Sequence, residues 1–364
     1  MQPILVACDK FKGSLDASQV TSILTSEMPE SEGFIVADGG DGTIDAFLAA
    51  GYHCKEVTVS GPTGTQVKGR IAFREETLVV ELAELVGMLR LPNGALEPLK
   101  STTIGLGEAL RLGSSFERII VGLGGSASTD GGAGLLVGLG ARLLDASGTE
   151  LYPDARSLAK VACLDLSQVP RWVSKKEWII ASDVDAPLLG PDGSVRVFGP
   201  QKGLTGQDAD EIEIGMRNWA DAVADATGRR NEGQGGSGAA GGAGFALMAV
   251  LGARVASGIE VTLNAIGFET ALDDARLVVT GEGSLDEQTL MGKTVAGVAR
   301  LASSRGVPVV AVCGRSSITE AELKNLGISR VYSLLERAHD ADDSIGRADE
   351  LLRNVARDIW KEWR

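Results

Sequence analysis

Short apolar runs recur along the chain, and acid-and-glycine clusters follow them again and again. Ile4-Leu-Val-Ala-Cys8 leads into Asp9-Lys10-Phe11-Lys12-Gly13-Ser14, and Phe34-Ile-Val-Ala37 leads into Asp38-Gly-Gly-Asp41-Gly-Thr43. Ile119-Ile-Val121 precedes Gly122-Leu-Gly124-Gly125-Ser126, with Asp130 close behind; Trp178-Ile-Ile-Ala-Ser182 precedes Asp183-Val-Asp185; Leu277-Val-Val-Thr280 precedes Gly281-Glu282-Gly283-Ser-Leu-Asp286. An unbroken apolar run of strand length reads as a strand buried on both faces, and ligands of open α/β sheets collect at strand carboxyl ends. Glycine there lets backbone N–H groups approach a phosphate, while carboxylates hold hard cations. The pattern predicts a metal-dependent phosphate site.

Strands are expected over residues 3–8 and 34–37, a helix over 14–28 with Val20, Ile23 and Leu24 at helical spacing, and a short helix over 43–50 ended by Gly51. Between 54 and 80 the texture changes to short alternating pieces joined by Gly61-Pro-Thr-Gly64 and Arg74-Glu-Glu76, the mark of antiparallel hairpins. Strands over 118–123 and 178–182, helices over 131–139 and 207–226, and a hairpin about Ser147-Gly148 follow; a glycine-rich loop over 228–244 feeds an apolar helix at 245–251. From Gly267 regular alternation returns, with strands over 277–280, 307–312 and 330–334 and helices over 294–304, 319–325 and 345–363. At 364 residues the chain is long for one core, so two domains are expected. One α/β domain made from 1–58 and 265–364, interrupted by a mixed α/β domain over 59–264, fits this order.

Net charge is −14, so nucleic acid and anionic membrane are poor partners, and an anionic substrate needs a local lysine cluster. Aromatic residues make up only 4%, which disfavours a base-stacking surface. Four scattered cysteines form no Cys-x-x-Cys pair, and two histidines, His53 and His339, nearly exclude a multi-histidine zinc site or a Ser-His-Asp triad. No signal peptide precedes the first strand and no apolar stretch spans a bilayer, so a soluble, cytoplasmic protein is expected.

Two phosphate signatures can be tested. Gly292-Lys293-Thr294 matches the end of a P-loop, but the required first glycine falls on Glu287, so Lys293 is left as a phosphate contact or an equally plausible solvated helix lysine. Gly122-Leu-Gly124-Gly125-Ser126-Ala127 satisfies the dinucleotide pattern, with Asp145 at about the right distance. Asp145 sits in a polar hairpin, which favours a phosphate cradle over a dinucleotide fold. Lys10 and Lys12 share a face if strand geometry persists. An Asx-turn in which Asp41 caps the following helix accounts for one of Asp38 and Asp41, but not both.

Taken together the motifs resemble the type I glycerate kinase family of bacteria. The matching stretches include Asp9-Lys-Phe-Lys-Gly-Ser-Leu15, Ala37-Asp-Gly-Gly-Asp-Gly-Thr43, Thr102-Thr-Ile-Gly-Leu-Gly-Glu108, Phe198-Gly-Pro-Gln-Lys-Gly203, Gly238-Ala-Ala-Gly241-Gly242-Ala-Gly244 and Thr280-Gly-Glu-Gly283. The resemblance implies a discontinuous flavodoxin-like parallel-sheet domain with an inserted mixed α/β domain of restriction-endonuclease-like type. It implies phosphorylation of D-glycerate by ATP with Mg2+, 2-phosphoglycerate being favoured over the 3-isomer; a homodimer is left open. On that reading Lys10 and Lys12 meet the substrate carboxylate or γ-phosphate, and Asp38 or Asp41 orients the attacking hydroxyl. Gly124, Gly125, Ser126, Asp130, Gly241, Gly242, Gly281, Gly283 and Lys293 line nucleotide-phosphate loops, and Asp183 with Glu282 or Asp286 holds Mg2+ in a cleft that closes on substrate.

The chain departs from the family pattern at Asp185-Ala186 in place of Thr-Asn, at Ser128-Thr129 in place of Thr-Asn, and at Ser284, where arginine is usual. These departures bear on affinity and substrate choice. Two rival readings are a nicotinamide-dependent hydroxy-acid dehydrogenase and a non-catalytic metabolite-binding protein.

Overall fold

The structure, a computed structural model, describes residues 2–290 and 294–364. By internal packing the chain divides into two compact units, one formed by Met1–Asp38, Asp45–Ala50 and Ile259–Arg364, the other by Gly39–Ile44 and Gly51–Gly258.

In the first unit the strand Ile4–Cys8 is buried along its whole length. It lies parallel to Leu277–Leu285 on one side and to Ser31–Gly33 on the other, with Val6 opposite Val279 and Cys8 opposite Gly281. Val309–Ser316 and Ile328–Ser333 extend the sheet, again in parallel. Counted along the chain, these strands lie side by side in the order 2-1-3-4-5, the doubly wound order of flavodoxin. Alternate side chains enter different cores: Ile4, Val6 and Cys8 pack with Val20, Leu24 and Val355, while Leu5 and Ala7 pack with Ile259, Phe268 and Val298. Helices cover both faces, which is why the run carries no polar position.

Two expectations shift here. The strand expected over 34–37 is Ser31–Gly33 instead. Phe34 N–H still donates to the Val6 carbonyl at 2.8 Å, but the chain then turns so that the Phe34 ring meets Phe268 edge-on at 5.1 Å. The strand expected to stop at 280 runs on to Leu285, because Ser284 and Leu285 keep pairing with Arg315 and Ser316.

The second unit carries a six-stranded mixed sheet, ordered in space Arg254–Ala256, Glu177–Ala181, Arg118–Gly122, Thr77–Glu81, Gln66–Arg74 and His53–Ser60. The last three pair antiparallel as the alternating texture requires, and the first four are mutually parallel. Because His53–Ser60 pairs along its full length with Gln66–Arg74, the chain passes into this unit at 50/51, ahead of the 58/59 read from texture. Leu78, Val80, Ile119, Val121, Trp178 and Ile180 point into one core, shared with Trp219 of the helix Gly206–Thr227. The apolar segment expected to be a helix over 245–251 begins earlier, at Ala239, and its first turn is broken by left-handed Ala240, Gly241 and Gly242. Among the described residues no helix is long and apolar enough to cross a membrane.

The helix Ala17–Glu27 starts on a capping box: Asp16 Oδ1 accepts from Gln19 N–H at 2.8 Å, and Gln19 Oε1 accepts from Asp16 N–H at 2.9 Å. Asp16→Ala is expected to lower unfolding free energy by about 1 kcal/mol, read as a shift of the urea midpoint at constant slope. An unchanged midpoint contradicts the cap's role.

Candidate active site

In the second unit the loop that begins at Gly39 is laid across the carboxyl ends of three parallel strands. A Cβ on Gly39 would collide with the Ala181 carbonyl oxygen, one on Gly122 would lie 2.8 Å from the Gly39 carbonyl oxygen, and one on Gly124 would collide with Gly40 Cα. Backbone passes over backbone with no room for a side chain, so glycine is obligatory. Glu81, the last residue of its strand and only 3% exposed, anchors the crossing. Its Oε1 accepts from Gly42 N–H at 3.3 Å and its Oε2 from Ile44 N–H at 2.9 Å. The helix Thr43–Ala49 thus receives its amino-terminal carboxylate from Glu81, the work that an Asx-turn reading gives to Asp41. Burial pushes the Glu81 carboxyl up to about 7; the two amides oppose this, and the charges of Glu84 and Asp41 add to it.

Asp41 is exposed on this loop. A Cβ on Gly125 would lie 2.5 Å from Asp41 Oδ1, so the carboxylate lies directly over the Gly124–Gly125 turn, where Gly125 adopts a φ of 63°. Asp183 follows the Ala181–Ser182 backbone against which Gly39 packs, and its Oδ1 accepts from Gly258 N–H at 3.0 Å. Asp185 is exposed, and its Oδ1 is the atom that a Cβ on Gly235 would strike. The structure therefore brings together Asp41, Gly124 and Gly125, while Asp183 is bonded to Gly258 just past the Ala181–Ser182 backbone on which Gly39 packs.

Several residues expected to line phosphate loops hold the loops instead. Asp130 is fully buried: Oδ2 accepts from Thr103 N–H and Thr103 Oγ1, each at 2.7 Å, and from Gly134 N–H at 3.1 Å, while Oδ1 accepts from Gly132 N–H at 3.2 Å. It occupies the anion position at the start of the helix Ala133–Leu139 and is not exposed to a nucleotide. Ser126 Oγ accepts from Lys202 Nζ at 2.7 Å, and the same ammonium donates to the Ser128 carbonyl at 2.6 Å. Lys202 is buried, which lowers its pKa to about 7 against the favourable charge of Asp130. Gly241 and Gly242 are buried against Ser128 and Gly131, where a Cβ would collide or lie 2.6 Å away, so they pack the loop and present no open cradle. The open part of the expected cradle contracts to Gly124–Gly125. Among the described residues, Ser128 Oγ and Thr129 Oγ1 are buried without a hydrogen-bond partner, at one of the positions where the chain departs from the family pattern.

The dinucleotide reading loses its acid. Asp145 Oδ1 accepts from Ser147 N–H at 2.8 Å and Thr149 N–H at 2.9 Å, which closes a surface turn.

The first unit gathers a separate set. Asp9 N–H donates to the Gly281 carbonyl at 2.8 Å, and the Asp9 carboxylate accepts from Lys10 N–H at 2.7 Å and Thr294 Oγ1 at 3.1 Å. Burial raises the Asp9 pKa, and repulsion by Asp38 raises it further. Strand geometry ends at Cys8 and the chain turns through Phe11–Leu15, so Lys10 is half-buried and Lys12 exposed without the shared strand face expected of them. Gly281 and Gly283 lie inside a strand: a Cβ on Gly281 would collide with the Val312 carbonyl oxygen, and one on Gly283 would lie 3.0 Å from Lys12 N. These glycines admit neighbouring backbone and form no phosphate loop. Glu282 Oε1 accepts from Thr289 Oγ1 at 2.7 Å, and Asp286 Oδ2 lies 3.4 Å from Ser284 Oγ. Lys293 lies outside the described residues. Glu81, Lys202 and Asp9 were absent from the expected site. Glu81 carried the shared signal, an acid closing an apolar run, within the hairpin segment.

A family model described as the glycerate kinase family matches residues 4–364. A glycerate kinase of Bacillus subtilis (strain 168) is 38% identical, over 98% of this chain and 96% of its own length. A glycerate 2-kinase of Escherichia coli (strain K12) is 35% identical, over 97% and 93%. A solved structure of a protein assigned as glycerate kinase 2 from Salmonella typhimurium LT2 superposes with a TM-score of 0.86 at 33% identity, covering 99% of this chain and 98% of that one.

Glu81 makes a pH prediction. Its folded pKa, about 7, exceeds the ordinary glutamate value of 4.5, so the native state holds the proton more tightly. Its stabilising contribution is complete below 4.5 and is lost as pH rises towards 7, a swing on the order of 3 kcal/mol. Glu81→Gln is expected to flatten that limb of stability against pH in urea titrations. An identical slope in the variant contradicts the assignment.

Proposed function

The chain belongs to the glycerate kinase family, and we propose that it transfers the γ-phosphoryl group of ATP to a hydroxyl of D-glycerate. The product proposed is 2-phosphoglycerate, in keeping with the name of the Escherichia coli relative. One observation supports the reading above the others: Glu81 fixes the loop that lays Asp41 over the Gly124–Gly125 turn, at the carboxyl ends of parallel strands.

Phosphoryl transfer needs an oriented hydroxyl, neutralisation of charge on the transferring group, and little covalent chemistry from the protein. Asp41 is the group proposed to orient the substrate hydroxyl and accept its proton late. Asp38 is the second candidate, with Asp9 as the acid that its charge reaches. The Gly124–Gly125 amides are proposed to receive phosphate oxygens. In the first unit Lys10 and Lys12 supply positive charge for an anionic group, against a net charge of −14 for the chain.

Carboxylates beside a phosphate site repel it unless a cation intervenes. Among the described residues no three His, Cys, Asp or Glu side chains gather into a metal-ligand cluster. One or two carboxylates completed by phosphate oxygens and water is the coordination Mg2+ favours, so the donor set fits that ion. Asp183 in the second unit, and Glu282 and Asp286 in the first, are the acids proposed for this role. The ion would offset charge on the nucleotide phosphates. The protein is proposed to act in the cytoplasm, with D-glycerate and ATP as its partners.

The test is ADP release with D-glycerate, ATP and Mg2+, with the position of the product phosphate read by NMR. Turnover is expected, and Asp41→Asn should cut it by about a hundredfold or more with the melting temperature nearly unchanged. No ADP release from the folded wild type contradicts the kinase reading. D-glycerate binding without ADP release would favour a metabolite-binding protein.

A further inference from the structure

Lys202 is a buried cation with no group of opposite charge in contact. It closes the short turn Pro200–Lys202 and is only 3% exposed. Its Nζ donates to two uncharged oxygens, Ser126 Oγ at 2.7 Å and the Ser128 carbonyl at 2.6 Å, and among the described residues no carboxylate pairs with it. The charge of Asp130 favours its ammonium form, but the Asp130 oxygens are taken up by Thr103, Gly132 and Gly134. Burial prevails, and the pKa falls to about 7. Donors are also left over. An ammonium carries three N–H groups, of which two are spent, and the hydroxyls of Ser128 and Thr129 are buried with no partner among the described residues.

This unpaired charge lies directly behind the open turn. Ser126 follows Gly125, and the backbone on either side of it is pinned to one neighbouring segment: Met88 N–H donates to the Gly125 carbonyl at 2.9 Å, and Ala127 N–H to the Val86 carbonyl at 3.2 Å. The Ser126 side chain is held by Lys202. Gly241 closes over the ammonium, since a Cβ there would lie 3.0 Å from Nζ. A ligand therefore meets the charge through Ser126 and the turn, without touching Lys202. A desolvated, unpaired cation is unfavourable until an anion comes near. We propose that the anion bound at Gly124–Gly125 supplies this counter-charge, so that binding of a nucleotide phosphate draws a proton onto Lys202. The lone pair of the neutral amine takes the proton from solvent, and no bond to the ligand forms. Lys202 is a positioning residue that acts through Ser126. The inference deepens the kinase reading and rests on it for the nucleotide.

The sign follows from linkage. In acid Lys202 already carries its proton, so binding takes up almost none; in mild alkali the free amine is mainly neutral, and binding takes protons from the buffer. Other ionisable groups surround the turn. Asp130 lies behind it, with Tyr152 near enough to feel its charge, while Asp41 lies over Gly125 and Glu81, which also titrates at about 7, holds the crossing loop.

The experiment is calorimetry of ADP binding with Mg2+ in two buffers of different ionisation enthalpy, which counts protons apart from turnover. For a rise of one pKa unit on binding, wild type takes up about 0.4 proton per ADP at about pH 8, and Kd there is about fivefold higher than at about pH 6. A terminal phosphate, with a pKa of about 6, is already ionised at the higher pH and supplies no such uptake. Lys202→Met should lose the uptake, while Glu81→Gln, which removes the other group titrating in this range, should keep it. Equal proton counts at the two pH values in wild type overturn the proposal. So does an uptake that survives in a Lys202→Met protein melting like wild type. If Lys202→Met does not fold, Glu81→Gln still decides, because loss of the uptake there assigns the proton to Glu81 and overturns the proposal. A wild type that binds no ADP at either pH sinks the kinase reading and this inference with it; one that binds ADP and takes up no proton sinks this inference alone.

Discussion

The candidate site of the second unit depends on one crossing, in which the backbone of Gly39 and Gly40 passes over the ends of the strands that close at Gly122 and Ala181 at a separation that excludes side chains. Close approach alone does not fix a loop, because buried amides must find acceptors. Glu81 provides them for Gly42 and Ile44, from the end of a strand that the loop crosses. Glycine sets how near the chain comes, the buried carboxyl sets where it stops, and Asp41 is carried to the Gly124–Gly125 turn as a consequence.

A second buried frame holds the other side of that turn. Asp130 collects amides and a hydroxyl from the segments around Thr103 and Gly132–Gly134, and Lys202 ties Ser126 to the Ser128 carbonyl. Buried ionisable groups cost free energy unless they are hydrogen-bonded, and both are. Their placement leaves Gly124 and Gly125 as the accessible part of a much longer glycine-rich stretch. The extra glycines elsewhere, at 241 and 242, serve packing.

Much of this was legible in the amino-acid sequence. The parallel sheet of the first unit is announced by apolar runs such as Ile4–Cys8, and the antiparallel hairpins of the second by alternation between 54 and 80. Gly124, Gly125 and Asp183 follow strands as the apolar runs place them, whereas the strand drawn ahead of Asp41 ends at Gly33. What could not be read was which polar residues face inward. Asp130 looks like any acid in a glycine loop until its hydrogen bonds are seen, and Lys202 is one residue of the Phe198–Gly203 stretch until it is found buried. Gly281 and Gly283 mislead for the same reason, since glycine marks close approach by a neighbouring strand as well as by a phosphate. The strand drawn at 34–37 failed because tertiary packing of Phe34 on Phe268 overrides local β-propensity.

The most direct test of the central claim is a crystal structure with Mg2+, D-glycerate and a non-hydrolysable ATP analogue. The account predicts a substrate hydroxyl within about 3 Å of the Asp41 carboxylate and phosphate oxygens on the Gly124 or Gly125 amides. A complex in which the hydroxyl and phosphates lie roughly 8 Å or more from both, well beyond hydrogen-bond reach, would contradict it.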